Sequence, residues 1–323
     1  MMDERAHAAL ASRAVAVGSR RRPGGRRKPE RLPGEARRIG YLYVAPAFIL
    51  YAAFNLFPLG QGINLSFYNW DGILPGTWVG LGNYKEFFTD PAIREGYVHV
   101  LKLMVFYSFL PIVIGLFLAA VLSRIRIRGL TFFRVLLFLP LVITDVVTSV
   151  AWIWMYDVDG PIATALKAVG LGALIPSSGW LGDFNTALPA VGVFGMWGQF
   201  GFCLILFLAG VMKIPASLYE AARVDGANAV REFFAVTLPG LRYELQVVLV
   251  LSVIGTLGTF DEIYVLTSGG PGTATTVPAY TIWFRLFQIG EVGSAAALGI
   301  VLMLIVFAVT FAINRLMERG AEG

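Results

Sequence analysis

The stretch that decides how this chain is interpreted is EAARVDGANAVREFFAVTLPG, residues 220–240. It is polar and contains many helix-forming residues, yet it lies between two long apolar runs. Hydrophobic residues make up 57% of the 323-residue chain and charged residues 15%, whereas soluble domains have about 45–50% and about 25%. The composition therefore indicates a protein of the lipid bilayer, and this polar stretch is expected to be a loop outside the bilayer.

Apolar runs of the length that spans a membrane recur along the rest of the chain. A helix needs about 20 predominantly apolar residues to cross the hydrocarbon core. The candidate spans are residues 41–65, 98–122, 130–155, 187–211, 243–266 and 292–314. The runs lack the sustained alternation that is typical of membrane strands. The sequence therefore predicts an all-α polytopic membrane protein with six transmembrane helices.

The distribution of Lys and Arg predicts the orientation of these helices. Together the tail and the loops on one side contain 20 of these residues, and the loops on the other side contain 4. Because the cytoplasmic side of a membrane protein carries the excess of basic residues, both termini are expected in the cytoplasm. The polar stretch then belongs to a cytoplasmic loop, residues 212–242.

The first 40 residues differ from the rest of the chain in charge. They carry a net charge of +7, whereas the whole chain carries +5. We interpret residues 1–40 as a disordered basic tail on the cytoplasmic side and residues 41–317 as the transmembrane domain. A nucleic-acid-binding arm is the alternative, but no interleaved aromatic residues favour it, and no nucleic-acid partner is expected.

The sequence offers little for catalysis or metal binding. Cys203 is the only cysteine, and His7 and His99 are the only histidines, so neither a disulfide within the chain nor a histidine metal site is expected. A membrane enzyme would need convergent acids and histidines, but the acidic pair Asp157 and Asp159 has no histidine near it in sequence. No phosphate-binding G-x-x-x-x-G-K-[ST] motif is present, so any ATP would be bound by a partner.

The polar loop is predicted to consist of two short helices joined by a glycine corner. Pro215 suits a first helical turn, residues 216–224 favour a helix, and Gly226 suits the left-handed residue that ends it. A second helix is expected over residues 227–236, with Pro239 ending it. The residues alone leave two interpretations open, namely an amphipathic element that rests on the membrane surface and a docking surface for another protein.

Three short motifs in this loop resemble the cytoplasmic EAA loop of ABC importer permeases. They are Glu220-Ala221-Ala222, Asp225-Gly226-Ala227 and Leu238-Pro239. Their spacing fits, and the loop lies between the fourth and fifth predicted spans. The chain is therefore identified as similar to that family.

Other segments resemble the carbohydrate-uptake branch of the family, the maltose and glycerol-phosphate type. The stretch FDEIYVLTSGGP, residues 260–271, is similar to its FD.IY.LT.GGP segment. Weaker similarities are Val44-Ala45-Pro46, Phe57-Pro58, Ser66-Phe67, Phe133-Arg134, Leu139-Pro140 and Ala151-Trp152-Ile153-Trp154. The resemblance covers residues 40–317.

The resemblance implies a transport subunit of the bacterial inner membrane and not an enzyme. In that family two permease subunits form the pore, two ATP-binding subunits hold ATP and magnesium, and an extracytoplasmic binding protein delivers a sugar or related solute. The residues implied in docking the ATPase are Glu220, Ala221, Ala222, Asp225, Gly226, Leu238 and Pro239. The alanines also have an explanation in helix propensity alone. A secondary transporter is the competing interpretation, but it does not account for the EAA loop.

Polar and aromatic residues in or near the spans are candidates for the solute path. Ionisable groups are costly within a membrane and tend to face a cavity. Asp145, in the middle of the third span, is expected to face a path or a partner subunit, with a hydrogen bond to Thr144 or Thr148 as the alternative. The other candidates are Trp152, Asp261, Tyr264 and Thr267. Asp261 has a structural alternative, and an interfacial aromatic belt is the alternative for Trp152 and Tyr264.

Four glycines recur every three residues in the fourth span. They are Gly192, Gly195, Gly198 and Gly201. Because small residues let helix backbones approach each other closely in membranes, they predict a helix-packing face.

Overall fold

The computed structural model describes residues 37–124 and 130–319, and it places the side chains of residues 40–122 and 135–317. Most of the predicted basic tail, residues 1–40, therefore lies outside the described part. Its last four residues are already helical. Arg126 and Arg128, which were counted among the cytoplasmic loop charges, also lie outside it.

The chain divides into two compact units, residues 1–57 and 58–323. The described part of the first unit is α1 (Arg37–Tyr51) followed by the π-helical turn Ala52–Leu56. Large apolar side chains such as Phe48 and Phe54 are exposed along it. An apolar surface of this kind suits lipid.

The second unit is mostly helical and contains one small antiparallel hairpin. The strands are β1 (Tyr68–Asn69) and β2 (Thr77–Trp78), with Tyr68 opposite Trp78. Its α-helices are α2 (Phe57–Leu65, continuing from the first unit), α3 (Gly82–Thr89), α4 (Pro91–Met104), α5 (Leu110–Arg124), α6 (Leu130–Val142), α7 (Asp145–Met155), α8 (Pro161–Ala168), α9 (Ala187–Val211), α10 (Ala216–Val224), α11 (Ala229–Glu232), α12 (Leu238–Gly240), α13 (Arg242–Leu257), α14 (Asp261–Leu266), α15 (Pro278–Phe284) and α16 (Val292–Arg319). Shorter helical turns are Val105–Phe109, Gly172–Leu174, Phe233–Thr237 and Arg285–Ile289.

Among the described residues, four helical stretches are each long and apolar enough to cross a membrane, and two bent helix pairs bring the number to as many as six. The four are Gly40–Leu65, Pro91–Leu122, Ala187–Val211 and Val292–Met317. The predicted all-α polytopic fold is confirmed, and the fourth span has the predicted bounds. The second helix begins earlier than predicted because Asp90 caps it, accepting a hydrogen bond from the Ala92 backbone at 2.9 Å.

The third and fifth predicted spans, residues 130–155 and 243–266, are each interrupted and are not single continuous helices. The third consists of two helical stretches, Val135–Val142 and Asp145–Met155, which meet at an angle of 107°. Thr144 has an extended backbone (ψ 142°), so the helix cannot continue through it. The fifth helix ends at Leu257, and residues 261–266 form the separate helix α14. We call the two interruptions, residues 143–144 and 258–260, the helix breaks.

Helix α9 lies at the centre of the packing in this unit. One buried cluster joins Phe194 of α9 to Trp152, Ile263 and Tyr280. A second cluster surrounds Phe207 nearer the end of α9. The ends of α9 therefore belong to two separate apolar cores.

Three of the four predicted packing glycines are confirmed as sites of close approach. A Cβ on Gly192 would lie 2.6 Å from Cγ of Phe106. A Cβ on Gly195 would overlap the ring of Tyr107, and one on Gly201 would overlap the backbone oxygen of Leu137. Gly198 differs, because no atom lies within 4 Å of the Cβ position.

A buried arginine ties several elements of this unit together. Arg285 is 14% exposed in its side chain and donates hydrogen bonds to Glu86, to Asp90 at 2.7 Å, to Glu291 at 3.2 Å and to Ser294 at 2.7 Å. These partners belong to α3, the cap of α4, the turn before α16 and α16 itself. The guanidinium therefore neutralises carboxylates that would otherwise repel each other.

Substituting one packing glycine is expected to be far more damaging than substituting its neighbour. Gly201→Ala forces a methyl group against the Leu137 carbonyl and should cost about 1–3 kcal/mol of stability. Gly198→Ala meets no atom and should be neutral or stabilising by up to about 1 kcal/mol through helix propensity. Thermal unfolding of the two purified variants in detergent measures the difference, and equal unfolding temperatures would contradict the packing.

Removing the Arg285 guanidinium is expected to destabilise the protein strongly. Arg285→Leu leaves Glu86, Asp90 and Glu291 without their shared cation, and since these carboxylates are partly exposed the loss should be about 1.5–3 kcal/mol. Arg94→Leu, at an exposed position of α4, is the matched control and should change stability by less than about 0.5 kcal/mol. The measurement is again thermal unfolding, and similar losses in both variants would show that the cluster contributes little.

Candidate functional site

A polar cavity of about 460 Å³ lies at the helix breaks. It is lined by Tyr107, residues 140–145, Phe194, Gly195, Gly198, Gln199, Gly255 and residues 258–262. A helix that breaks within a membrane exposes backbone groups, and these are tolerated where they face protein or a water-filled cavity. The cavity and the two breaks are therefore parts of one feature, which we call the acidic cavity because three of its lining residues are acidic.

The three acidic residues begin the two short helices that follow the breaks. Asp145 is the first residue of α7, and Asp261 and Glu262 are the first two residues of α14. Thr259 Oγ1 donates a 2.8 Å hydrogen bond to Glu262 Oε2. A carboxylate in the first turn of a helix is stabilised by the helix dipole. The predicted mid-span position of Asp145 is thus corrected to a helix start, which also accounts for how an acid is accommodated there.

The opposite wall of the acidic cavity is formed by α9. Gly195 and Gly198 keep this wall thin, and Gln199 adds an amide that both donates and accepts hydrogen bonds. Sequence reasoning missed Tyr107, Gln199 and Thr259 as cavity residues. Each lies in an otherwise ordinary apolar run, and only the folding of distant segments brings them to the same wall.

Three predicted path residues lie outside the cavity lining. Trp152 is 8% exposed and packs against Phe194 and Trp197, with ring centroids 5.7 and 5.4 Å apart. Tyr264 stacks on Phe260 at 5.5 Å. Thr267 shares a 2.7 Å hydrogen bond with Thr275. In this structure Trp152 contributes to the core, whereas Asp145 and Asp261 face the cavity.

The polar loop has the predicted first helix and the predicted corner. Helix α10 covers residues 216–224, as predicted. Gly226 has φ +77°. Its N–H donates to the Arg223 oxygen at 3.0 Å, and the Ala227 N–H donates to the Ala222 oxygen at 2.9 Å. This pair of hydrogen bonds is the Schellman motif, which ends a helix at a left-handed residue.

The second helix of the loop is longer than predicted. It begins at α11, where Asn228 caps it by accepting a 2.9 Å hydrogen bond from the Arg231 backbone. It then continues through the π-helical turn Phe233–Thr237 into α12, so Pro239 does not end it. The chain instead bends by 70° between residues 240 and 242.

An ion pair between an exposed arginine and a buried glutamate holds the two arms of the loop together. Arg223 Nε lies 2.8 Å from Glu232 Oε1, and the Glu232 side chain is only 3% exposed. Tyr219 and Thr237 add a hydroxyl–hydroxyl hydrogen bond of 3.1 Å between the same arms. Sequence reasoning missed Glu232. The hydrophobic neighbours of Glu232 in sequence give no sign that it would fold inward.

The loop residues implied in docking are spread over the outer side of this frame. Glu220, Ala221, Asp225, Gly226 and Pro239 are exposed, and Ala222 and Leu238 are half-buried. We call residues 212–242 the coupling loop. Within the loop Arg223 pairs with Glu232, and Glu220 stays exposed on the surface.

No group of three His, Cys, Asp or Glu side chains among the described residues is arranged to hold a metal ion. This applies to the acidic cavity as well, although it contains three carboxylates.

Comparison with known proteins identifies the family of this chain. Residues 111–322 match the family described as "Binding-protein-dependent transport system inner membrane component". The probable ABC transporter permease protein YurN of Bacillus subtilis is 34% identical, over 88% of this chain and 97% of its own length. The lactose transport system permease protein LacF of Rhizobium radiobacter is 31% identical, over 83% of this chain and 91% of its own length.

A solved structure has the same fold. It is a bacterial alginate ABC transporter in complex with an alginate pentasaccharide-bound periplasmic protein. The similarity has a TM-score of 0.73 at 21% identity, and it covers 87% of this chain and 94% of that one. The family match covers most of the chain, including the acidic cavity and the coupling loop. This chain therefore belongs to the binding-protein-dependent transport system inner membrane components, the permease subunits of ABC transporters.

Proposed function

We propose that this subunit pairs with a second permease subunit and lines the path by which a sugar or related solute enters the cell. An extracytoplasmic binding protein delivers the solute. Two ATP-binding subunits, which hold ATP and magnesium, dock on the coupling loop and drive the cycle. Two similar proteins fit such a system: the lactose permease LacF, and the alginate ABC transporter in complex with a periplasmic protein that holds an alginate pentasaccharide.

The observation that carries the docking role is the surface of the coupling loop. Its frame is closed internally by Arg223 and Glu232. Yet the apolar side chains of Leu218, Val224 and Val230 are 51%, 88% and 64% exposed. Exposed apolar residues next to exposed charges such as Glu220 are typical of a surface that binds another protein. A helix resting on lipid remains the competing explanation for the same exposure.

The acidic cavity supports the path. It lies where two helices break, and discontinuous membrane helices commonly form solute sites in transporters. Asp145, Asp261 and Glu262 supply acceptors for solute hydroxyl groups. Ionisable residues within a membrane are functional candidates because their burial is costly.

The coupling loop can be tested with a matched pair of glycine substitutions. Gly226→Leu places a side chain at φ +77°, which costs about 1–2 kcal/mol and reorients α10 with Glu220. Pull-down of the ATPase subunits should fall by about fivefold or more, since about 1 kcal/mol of binding free energy corresponds to that factor. Transport and solute-stimulated ATP hydrolysis should fall together, while the binding protein keeps its affinity for solute.

The control is Gly170→Leu, at the other end of the membrane in the predicted topology. Gly170 has φ +78° and an open Cβ position, and it ends α8 with the same pair of hydrogen bonds. Its backbone strain is therefore equivalent, but ATPase association should be unchanged. Glu220→Lys should weaken association without backbone strain. Unchanged association and transport in both Gly226→Leu and Glu220→Lys, at matched membrane abundance, would refute the docking role.

The proposed orientation places both termini and the coupling loop in the cytoplasm. Single cysteines at Ser177 and Ser217, both exposed positions, should then react with a membrane-impermeant thiol reagent from opposite sides. The native Cys203 is buried and should contribute little labelling. Labelling of both positions from the same side would exclude this topology.

A further inference from the structure

The ionisable groups that line the acidic cavity have one sign of charge. Asp145, Asp261 and Glu262 line it, and the described residues of its wall include no Lys, Arg or His. The hydrogen bond that Glu262 accepts from Thr259 comes from a neutral hydroxyl, so it does not compensate the charge. A carboxylate accepts hydrogen bonds from hydroxyl groups and repels other anions.

A second observation is that the cavity can accept a polar molecule. The Tyr107 side chain lines it and lies over Gly195 on the α9 wall. Tyr107 is 6% exposed, and its hydroxyl lies near Thr259 but makes no hydrogen bond of normal geometry with any described residue. Buried hydroxyl groups in proteins nearly always have a partner. The Tyr107 hydroxyl thus supplies a donor and acceptor for a solute, in addition to the carboxylate acceptors.

We propose that the acidic cavity selects solutes by charge, accepting uncharged polyhydroxyl solutes and excluding those with a phosphate, carboxylate or sulfate group. The inference rests on the proposed function, in which this cavity is part of the solute path. Hydroxyl groups of the solute donate to Asp145, Asp261 and Glu262 and pair with Tyr107 and Gln199. An anionic group at the same place would lose those hydrogen bonds and face like charge, which is how a site rejects a wrong ligand.

Family membership does not decide this point. One relative is a lactose permease, and lactose is uncharged, whereas the solved transporter of the same fold imports alginate, an acidic polysaccharide. Relatives thus carry both charged and uncharged solutes, so the charge selection is argued from the cavity wall and not from the family. Asp145 is the residue that we assign as the main determinant, because it approaches from a different helix break than Asp261 and Glu262.

The charge of the cavity can be measured without knowing the solute. Gly198 lines the cavity and has no atom within 4 Å of its Cβ position, so Gly198→Cys adds a thiol that fits. The assembled transporter, in lipid nanodiscs, is treated with a methanethiosulfonate that carries either an ammonium or a sulfonate group. Ser177→Cys, at an exposed loop position, corrects for the intrinsic reactivity of the two reagents.

After this correction the cationic reagent should react at position 198 at least about tenfold faster than the anionic one. Attraction of the cation and repulsion of the anion by the carboxylates, in a partly solvated site, produce a ratio of this size. Asp145→Asn in the Gly198→Cys background should reduce the ratio severalfold. Asp159→Asn, an exposed acid that is not part of the cavity lining, should leave it unchanged. Equal rates, a faster anionic reagent, or no reaction with either reagent would overturn the proposal.

The solute itself provides the second measurement. The solute that is bound to the co-purifying binding protein should be uncharged by mass spectrometry. The same complex in proteoliposomes should take it up and should not take up sn-glycerol 3-phosphate or an alginate oligosaccharide. Uptake of an anionic solute would overturn the charge selection while leaving the importer function intact. A cavity with the expected labelling ratio in a complex that imports no solute would instead overturn the proposed function.

Discussion

The organisation of this protein depends on one constraint, which is that backbone polar groups within a membrane must find partners inside the protein or in an enclosed polar space. An uninterrupted helix satisfies the constraint by itself. The helices are interrupted at residues 143–144 and 258–260, and both helix breaks line the acidic cavity. The acids that follow each break are stabilised by the starts of the helices that they begin. The helix breaks, the acidic residues and the cavity therefore form a single feature of the structure.

The coupling loop is polar and is under a different constraint. In the proposed function it must stay rigid in water while one side is exposed to a partner. A Schellman corner at Gly226 and the ion pair between Arg223 and the buried Glu232 fix the two arms relative to each other. This internal pairing leaves Glu220 and several apolar residues exposed. A rigid element with an exposed mixed surface transmits a movement better than a flexible one, because little conformational entropy is lost when it binds.

Charged residues thus serve different purposes in different parts of the chain. Around Arg285 they are mutually compensated and join four segments of the fold. In the coupling loop one pair is compensated and the neighbouring charge is exposed. In the acidic cavity the lining carboxylates lack a lining cation. An uncompensated charge is costly, which is the physical reason for assigning function to the cavity and a structural role to the Arg285 cluster.

Local physics determined much of this protein from its sequence. Apolar run length predicted the membrane helices, including the bounds of residues 187–211, because hydrocarbon thickness sets helix length. Helix propensity and the left-handed preference of glycine predicted residues 216–224 and the corner at Gly226. Glycine periodicity predicted the close packing at Gly192, Gly195 and Gly201. The motifs of the coupling loop indicated the family.

Only the tertiary structure decided the features that depend on distant partners. Hydropathy does not locate a break within an apolar run, so residues 130–155 and 243–266 were each predicted as one span and Asp145 was assigned to mid-span. Trp152 looked like a path residue until its packing against Phe194 and Trp197 was visible. Glu232 and Arg285 have partners that are 9 or up to 199 positions away in sequence, and no local pattern encodes such pairs. The acidic cavity likewise exists only because separate helices bring Tyr107, Asp145, Gln199 and Glu262 to a common wall.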